Sequence, residues 1–184
     1  MLDKKHAVLL VKKYLKDPDN LKFGIAVGAV LKNIAKIVEK NEDLWELTGI
    51  LHNLDYEYCS GSPENRGNLT AQLLDGLIPE NGINAIKSNN YMHTDYIPTT
   101  SLDKALIATV SATGLIFSII QMTPSKKAED ITLNLLLVKY QDENFAKRYN
   151  RSRIRLCKDI GMDEKFYLSI CLNSIKEISG IIGF

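Results

Sequence analysis

Apolar residues recur at intervals of three and four along most of this chain, which is the spacing of amphipathic helices. Between Leu21 and Lys40 the spacing produces a wide apolar stripe, formed by Ile25, Val27, Val30, Leu31, Ile34, Ile37 and Val38. No segment alternates apolar and polar residues as a half-buried strand would. The pattern therefore predicts an all-α protein.

Turn and capping residues divide this pattern into helices. A first helix is expected to end at the turn cluster 16–20, a second to cover 21–40 and a third to run from 44 to about 52. Further helices are predicted at 63–74, 79–88, 101–121, 128–140, 142–149, 151–160 and 163–178. The longest irregular stretch, DYEYCSGSPENRGN (55–68), follows the third helix. Irregular connections of this length are often functional.

The length of 184 residues, of which 45% are hydrophobic, suits one domain spanning 1–184. The net charge of +1 argues against a protein that binds nucleic acid through a strong overall positive potential. The segment AKRYNRSRIRLCK (146–158) is locally basic, and Arg148, Arg151, Arg155 and Lys158 would share one face of an unbroken helix. Asn150 could cap a new helix and break this face, so we interpret the segment as a solvated helix surface and nucleic acid as an unlikely partner.

Cysteine usage and the amino-terminal sequence predict a cytoplasmic location. Cys59, Cys157 and Cys171 are odd in number and lack CxxC spacing, which favours reduced thiols. The amino terminus lacks the pattern of a signal peptide. The segment 105–122 approaches the length of a membrane span, but its Ser, Thr and Gly residues favour a buried core helix. We therefore expect no membrane partner.

Five segments, in this order, resemble HD-domain proteins. They are NLKFGIAVGAVLKNIAK, LWELTGILHNLDYE, AIKSNN, ALIATVSATGLI and FAKRYNRSRIRLCKDIGMDEKFYLSICLNSIKEI. The likeness extends from about Leu9 to Ile178 and is greatest to a small bacterial branch of predicted hydrolases. It implies an all-helical bundle with metal-dependent phosphohydrolase activity. In that family, an early histidine, an adjacent His-Asp pair and a later aspartate hold a divalent metal that activates water and polarises a phosphoryl oxygen.

Most of the positions that match the family's site carry other residues here. His52 is retained, but its aspartate partner is replaced by Asn53. The other replacements are Phe23, Arg66 and Asn89 at histidine positions, Gly28 and Gln72 at glutamate positions, and Val110, beside Ser111, at the final aspartate. Neutral amides and alkyl groups replace imidazole and carboxylate ligands poorly.

These replacements predict a degenerate, catalytically inactive member of the family, a pseudoenzyme with no metal cofactor. The expected binding pocket is lined by Phe23, His52, Asn53, Arg66, Asn89 and Val110. Its ligand would be a small anionic or nucleotide-like molecule, or the domain would bind a protein partner, including a second copy of itself. Arg66 would place a permanent positive charge near the former metal position, or pair with Asp55 or Glu57. Phe23 favours a filled cavity.

The alternative is an active phosphohydrolase with an atypical site. His52, Asp55 and Glu57 would bind the divalent metal, His52 and Asp55 would act in catalysis, and Arg66 would hold the phosphate. Asp55 would share a face with His52 if the third helix continued beyond it.

Overall fold

The computed structural model describes residues 2–184, and within that range it contains helices, turns and irregular segments but no strand. The α-helices are α1 (Lys4–Tyr14), α2 (Pro18–Ile37), α3 (Glu42–Leu51), α4 (Asn68–Leu74), α5 (Glu80–Ser88), α6 (Ser101–Met122), α7 (Leu133–Gln141), α8 (Arg151–Ile154), α9 (Glu164–Glu177) and α10 (Ser179–Ile182). Short 3₁₀ helices cover Pro63–Asn65, Ala128–Asp130 and Arg155–Ile160. The all-α prediction is confirmed.

Helices α2 and α3 cross at very short range, and two glycines permit this approach. A Cβ atom on Gly49 would lie 2.6 Å from the Cα of Gly28. A Cβ atom on Gly28 would lie 2.8 Å from the carbonyl oxygen of Glu46. The helix crossing therefore leaves no room for the glutamate that the family resemblance places at position 28, and it fixes the end of α3, where His52 lies.

Helix α6 runs through the hydrophobic core and packs against α2, α5, α7, α8 and α9. It begins with a capping box, in which Thr100 accepts from the backbone of Asp103 and the Asp103 carboxylate accepts in return. It is long and apolar enough to cross a membrane, but 72% of its most apolar window is buried inside the fold. The packing is that of the core helix expected in a soluble protein.

The predicted helix at 142–149 is wrong. This segment forms a series of turns between α7 and α8. Arg151 is 8% exposed and donates hydrogen bonds to the backbone carbonyls of Lys139, Tyr140, Asp142, Phe145, Ala146 and Tyr149. In a helix, these carbonyls would accept from backbone amides. Here they accept from the charged guanidinium of Arg151 instead.

The basic segment 146–158 does not form one solvated helix face. Asn150 Oδ1 accepts from the backbone amide of Ser152 at 2.8 Å and starts α8, so the helix is interrupted as the alternative reading of Asn150 anticipated. Arg151 turns inward, and Lys158 pairs with Glu164 at 2.7 Å. The positive charges of this segment therefore have different environments.

Candidate functional site

His52 is the one expected metal ligand that the sequence retains, and it lies just after α3 with 5% of its surface exposed. Its Nδ1 atom lies 2.6 Å from the carbonyl oxygen of Gly49. A carbonyl can only accept, so Nδ1 carries the proton and Nε2 keeps the free lone pair. Burial, assisted by the charge of Arg153, lowers the pKa of His52 to about 4 despite the Gly49 hydrogen bond and the charge of Asp55. His52 is therefore neutral near pH 7.

Aromatic side chains cover one side of His52. The Phe23 ring lies 6.0 Å from the imidazole, centroid to centroid. Phe117 of α6 meets Phe23 edge-on at 5.6 Å, and Phe184 meets Phe117 in the same way at 4.8 Å. This row of rings runs from His52 to the last residue of the chain. Aromatic carbon thus occupies the side of His52 where the family resemblance places a second histidine.

Asp55 is buried, and its carboxylate accepts hydrogen bonds from backbone amides. Its Oδ2 atom accepts from the amides of Gly67 at 2.7 Å and Thr70 at 3.0 Å. In return, the Thr70 hydroxyl accepts from the amide of Asp55 at 3.1 Å. The residue at the start of α4 is Gly67, which has φ of 87° and no side chain to cap the helix. Asp55 therefore supplies the missing cap from the preceding loop.

Glu57 binds the chain where it enters α2. Its carboxylate accepts from the amides of Lys16 and Asp17 and from the side-chain amide of Asn20, at 2.9–3.0 Å. These hydrogen bonds lower the pKa of Glu57. The N-cap of α2 itself is Asp17. Glu57 therefore holds the loop after α3 against the start of α2.

The side chains around His52 do not suit a divalent metal. Within residues 2–184, no three His, Cys, Asp or Glu side chains converge on one point. Asp55 and Glu57 are engaged at the starts of two different helices. One neutral imidazole beside an aromatic ring and a guanidinium is a poor donor set for a phosphohydrolase ion.

Arg153 is a positively charged residue whose charge acts on His52. Its Nη2 atom donates to the backbone oxygen of Asn89 at 2.8 Å and to Asn89 Oδ1 at 2.7 Å. Its guanidinium lies 5.6 Å from the ring centroid of Tyr91. No carboxylate in the described part of the chain lies within ion-pair distance of it. Burial lowers the pKa of Arg153, but a guanidinium remains charged in proteins.

Arg66 provides a second guanidinium without a carboxylate partner among residues 2–184. It lies 4.7 Å from the ring centroid of Tyr56, and its buried Nε atom has no hydrogen-bond partner. Asn90 donates to the Arg66 carbonyl oxygen at 3.2 Å and so ties the Arg66 loop to the end of α5, beside Asn89. The expected pairing of Arg66 with Asp55 or Glu57 is not formed.

Tyr149 packs on α6 and carries a third arginine. Its ring packs so closely on α6 that a Cβ atom added to Gly114 would lie 1.9 Å from Tyr149 Cε1. The exposed guanidinium of Arg148 stacks on the same ring at 4.7 Å. Three arginines, namely Arg66, Arg148 and Arg153, thus each lie over a tyrosine ring.

The remaining residues of the predicted pocket are placed as follows. Asn53 follows His52 directly and is half-buried. Val110 is half-buried and shares a helix face with Gly114 and Phe117. Phe23, His52 and Asn89 are brought together through Phe23–His52 ring contact and through Arg153, which bonds Asn89 and lowers the pKa of His52.

Sequence reasoning missed Arg153 as a site residue. The basic segment was visible, but helix periodicity selected Arg148, Arg151, Arg155 and Lys158 and passed over Arg153. The break at Asn150 changes which side chains face inward. The positions of Tyr91 and Tyr149 in the sequence gave no sign that they would pack against arginines. We name the group Phe23, His52, Arg66, Asn89 and Arg153 the His52 site.

No protein-family model, no curated protein and no solved structure matches this chain. The likeness to HD-domain proteins therefore rests on the residues quoted above.

Proposed function

We propose that this chain is a degenerate HD-like domain that binds a small anion at the His52 site and does not hydrolyse phosphoesters. The observation that carries the proposal is Arg153, a half-buried guanidinium whose only hydrogen-bonded partner among residues 2–184 is Asn89. Buried charges are normally paired. An anionic ligand would supply the missing partner.

The positions that the resemblance assigns to the metal site support the HD-like assignment, because several lie close together. Phe23 and His52 are in ring contact. Asn89 reaches the same place through Arg153. Arg66 is tied to that end of α5 through Asn90. This closeness of residues far apart in sequence is what supports the proposal of an HD-like arrangement.

The chemistry of this arrangement suits binding better than hydrolysis. A guanidinium presents several donors in a fixed plane and matches carboxylate or phosphate oxygens. His52 is neutral, and its Nε2 lone pair can accept a hydrogen bond from a ligand hydroxyl. The side chains that could activate water with a metal, Asp55 and Glu57, are engaged in hydrogen bonds at the starts of α4 and α2. The atypical hydrolase therefore has less support.

Titration calorimetry with inorganic phosphate, AMP and p-nitrophenyl phosphate tests the proposal, alongside an assay of phosphate release with manganese. We expect binding of at least one probe, a loss of about tenfold or more in Arg153→Met because a charged hydrogen-bonding partner is removed, and no release of phosphate. Arg155→Met is the matched control, because Arg155 is exposed and its nearest carboxylate is Glu164 at 4.0 Å.

Two results would overturn the proposal. Absence of binding by all three probes would leave Arg153 without the inferred partner. Manganese-dependent hydrolysis that disappears in His52→Ala would establish the atypical enzyme instead.

A cytoplasmic location is proposed with the function. Cys59, Cys157 and Cys171 are free and buried, and burial raises the pKa of each thiol. Such thiols are inert and suit a reducing compartment.

A further inference from the structure

The outer face of α1 is a second surface with unpartnered charge, separate from the His52 site. The segment 4–16 contains five lysines and one histidine and no Asp or Glu, although the whole chain has a net charge of only +1. This amino-terminal segment is therefore strongly basic, and the rest of the chain taken together is net acidic.

The packing of α1 leaves apolar surface among these lysines. Ala7 and Val11 are buried against the core. Leu9 points away from it and is 53% exposed. A shallow open groove of about 490 Å³ on this face is lined by Lys4, Lys5, Val8, Leu9 and Lys12.

The lysines along this groove differ in their partners. Lys4 is paired with the buried carboxylate of Glu46, which Lys32 also contacts at 2.9 Å. Lys5 and Lys12 have no carboxylate within ion-pair distance in the part of the chain that the structure describes. Two free cations therefore border an apolar groove that begins beside a fixed ion pair.

We propose that this groove, lined by Lys4, Lys5, Val8, Leu9 and Lys12, binds an acidic amphipathic helix of a partner protein. Lys5 and Lys12 are seven residues apart, which corresponds to about 10 Å along a helix. A partner helix with two acidic residues at the same interval would face both lysines. An apolar residue midway between those acids would fill the groove over Val8 and Leu9.

The composition of this face favours a protein helix over a lipid bilayer. A helix that lies on a bilayer buries a broad apolar face. On α1, Leu9 is the one large apolar residue that is mostly exposed, and it lies among lysines. Because this surface is positively charged, charge complementarity requires a negatively charged partner.

Fluorescence anisotropy with a labelled synthetic helix tests the inference on the full chain. The probe carries glutamates at positions i and i+7, leucines at i+3 and i+4, and alanine and glutamine elsewhere. A scrambled peptide of the same composition is the peptide control. We expect the patterned peptide to bind more tightly than the scrambled one, and binding to weaken with added salt.

Charge reversal supplies the decisive comparison. The double variant Lys5→Glu with Lys12→Glu should lose about tenfold or more in affinity, since opposite charges become like charges. A second peptide with lysines in place of the two glutamates should bind this variant and not the native chain. Lys36→Glu with Lys165→Glu is the matched control, because both lysines are exposed on other helices, and it should bind like the native chain.

Three outcomes would overturn the inference: equal binding of patterned and scrambled peptides, retained affinity in the charge-reversed variant, or failure of the lysine peptide to bind that variant. Co-sedimentation with phosphatidylserine vesicles but no peptide binding would assign the surface to membranes instead. None of these outcomes depends on Arg153, so this inference and the proposed function can fail separately.

Discussion

Arg151 and Arg153 lie two residues apart, yet their surroundings differ completely. Arg151 donates to six backbone carbonyls around the turns 139–149. Arg153 donates to a single residue, Asn89, through one of its nitrogens. A guanidinium with all its donors engaged holds a fold together, whereas one with free donors beside a buried histidine is available to a ligand. The same residue type therefore has two roles in one short segment.

The largest expected effect is loss of Arg151. Arg151→Met should lower the free energy of unfolding by about 3 to 5 kcal/mol, because several buried carbonyls would lose their donor. Urea denaturation followed by circular dichroism measures this loss. Arg151→Lys should recover part of it. A smaller loss of unfolding free energy in Arg151→Met than in Arg153→Met would contradict the contrast drawn between the two arginines.

The second largest expected effect is a dependence of folding stability on pH, which His52 produces. Its pKa is about 4 in the folded chain against an ordinary value of 6.5. As pH falls through this range, the unfolded chain binds a proton that the folded chain does not, so stability decreases by about 3 kcal/mol. Comparison with His52→Asn isolates the contribution, since carboxylates titrate in both proteins. Parallel stability curves between pH 7 and 4 would contradict the prediction.

Gly114 links the two regions. Tyr149, whose carbonyl accepts from Arg151, packs on it, and it shares a helix face with Phe117, whose ring meets Phe23. Gly114→Ala should destabilise the protein by about 1 to 3 kcal/mol, since the added methyl group would displace the ring. It should also weaken binding at the His52 site. Thermal denaturation and phosphate titration measure the two effects. Gly180→Ala is the control, as a Cβ atom there meets nothing within 4 Å.

The smallest expected effect on stability is that of Arg153→Met. The variant should remain within about 1 kcal/mol of the native chain, because removal of an incompletely paired charge also removes its desolvation cost. The pKa of His52, followed by NMR of the imidazole, should rise, since the charge of Arg153 lowers it. An unchanged pKa of His52 would show that Arg153 does not act on this site.

The positions of the helices were largely predictable, because apolar periodicity and capping residues are local signals. The expected helix at 79–88 matches α5 within one residue, and that at 101–121 matches α6 equally well. The segment 142–149 failed because its helix-like composition was overruled by Arg151, which lies outside it. Long-range hydrogen bonds of this kind leave no periodic trace.

The residue types of the candidate site were readable from the sequence, and their contacts were not. That Asn53 and Phe23 would be poor metal ligands follows from residue type alone. The engagement of Asp55 with α4 and Glu57 with α2 could not be read from spacing. Both contacts join segments that are distant in sequence or separated by an irregular loop.

The sequence by itself determined that this protein is helical, that its core includes the apolar segment of α6, and that imidazole and carboxylate are scarce at the positions that the family resemblance assigns to a metal. These properties depend on residue type and local spacing. The tertiary structure decided which charged groups have hydrogen-bonding partners for all their donors. Arg151 is enclosed by carbonyls and Arg153 is left with free donors, because the break at Asn150 sends two neighbouring side chains into different environments.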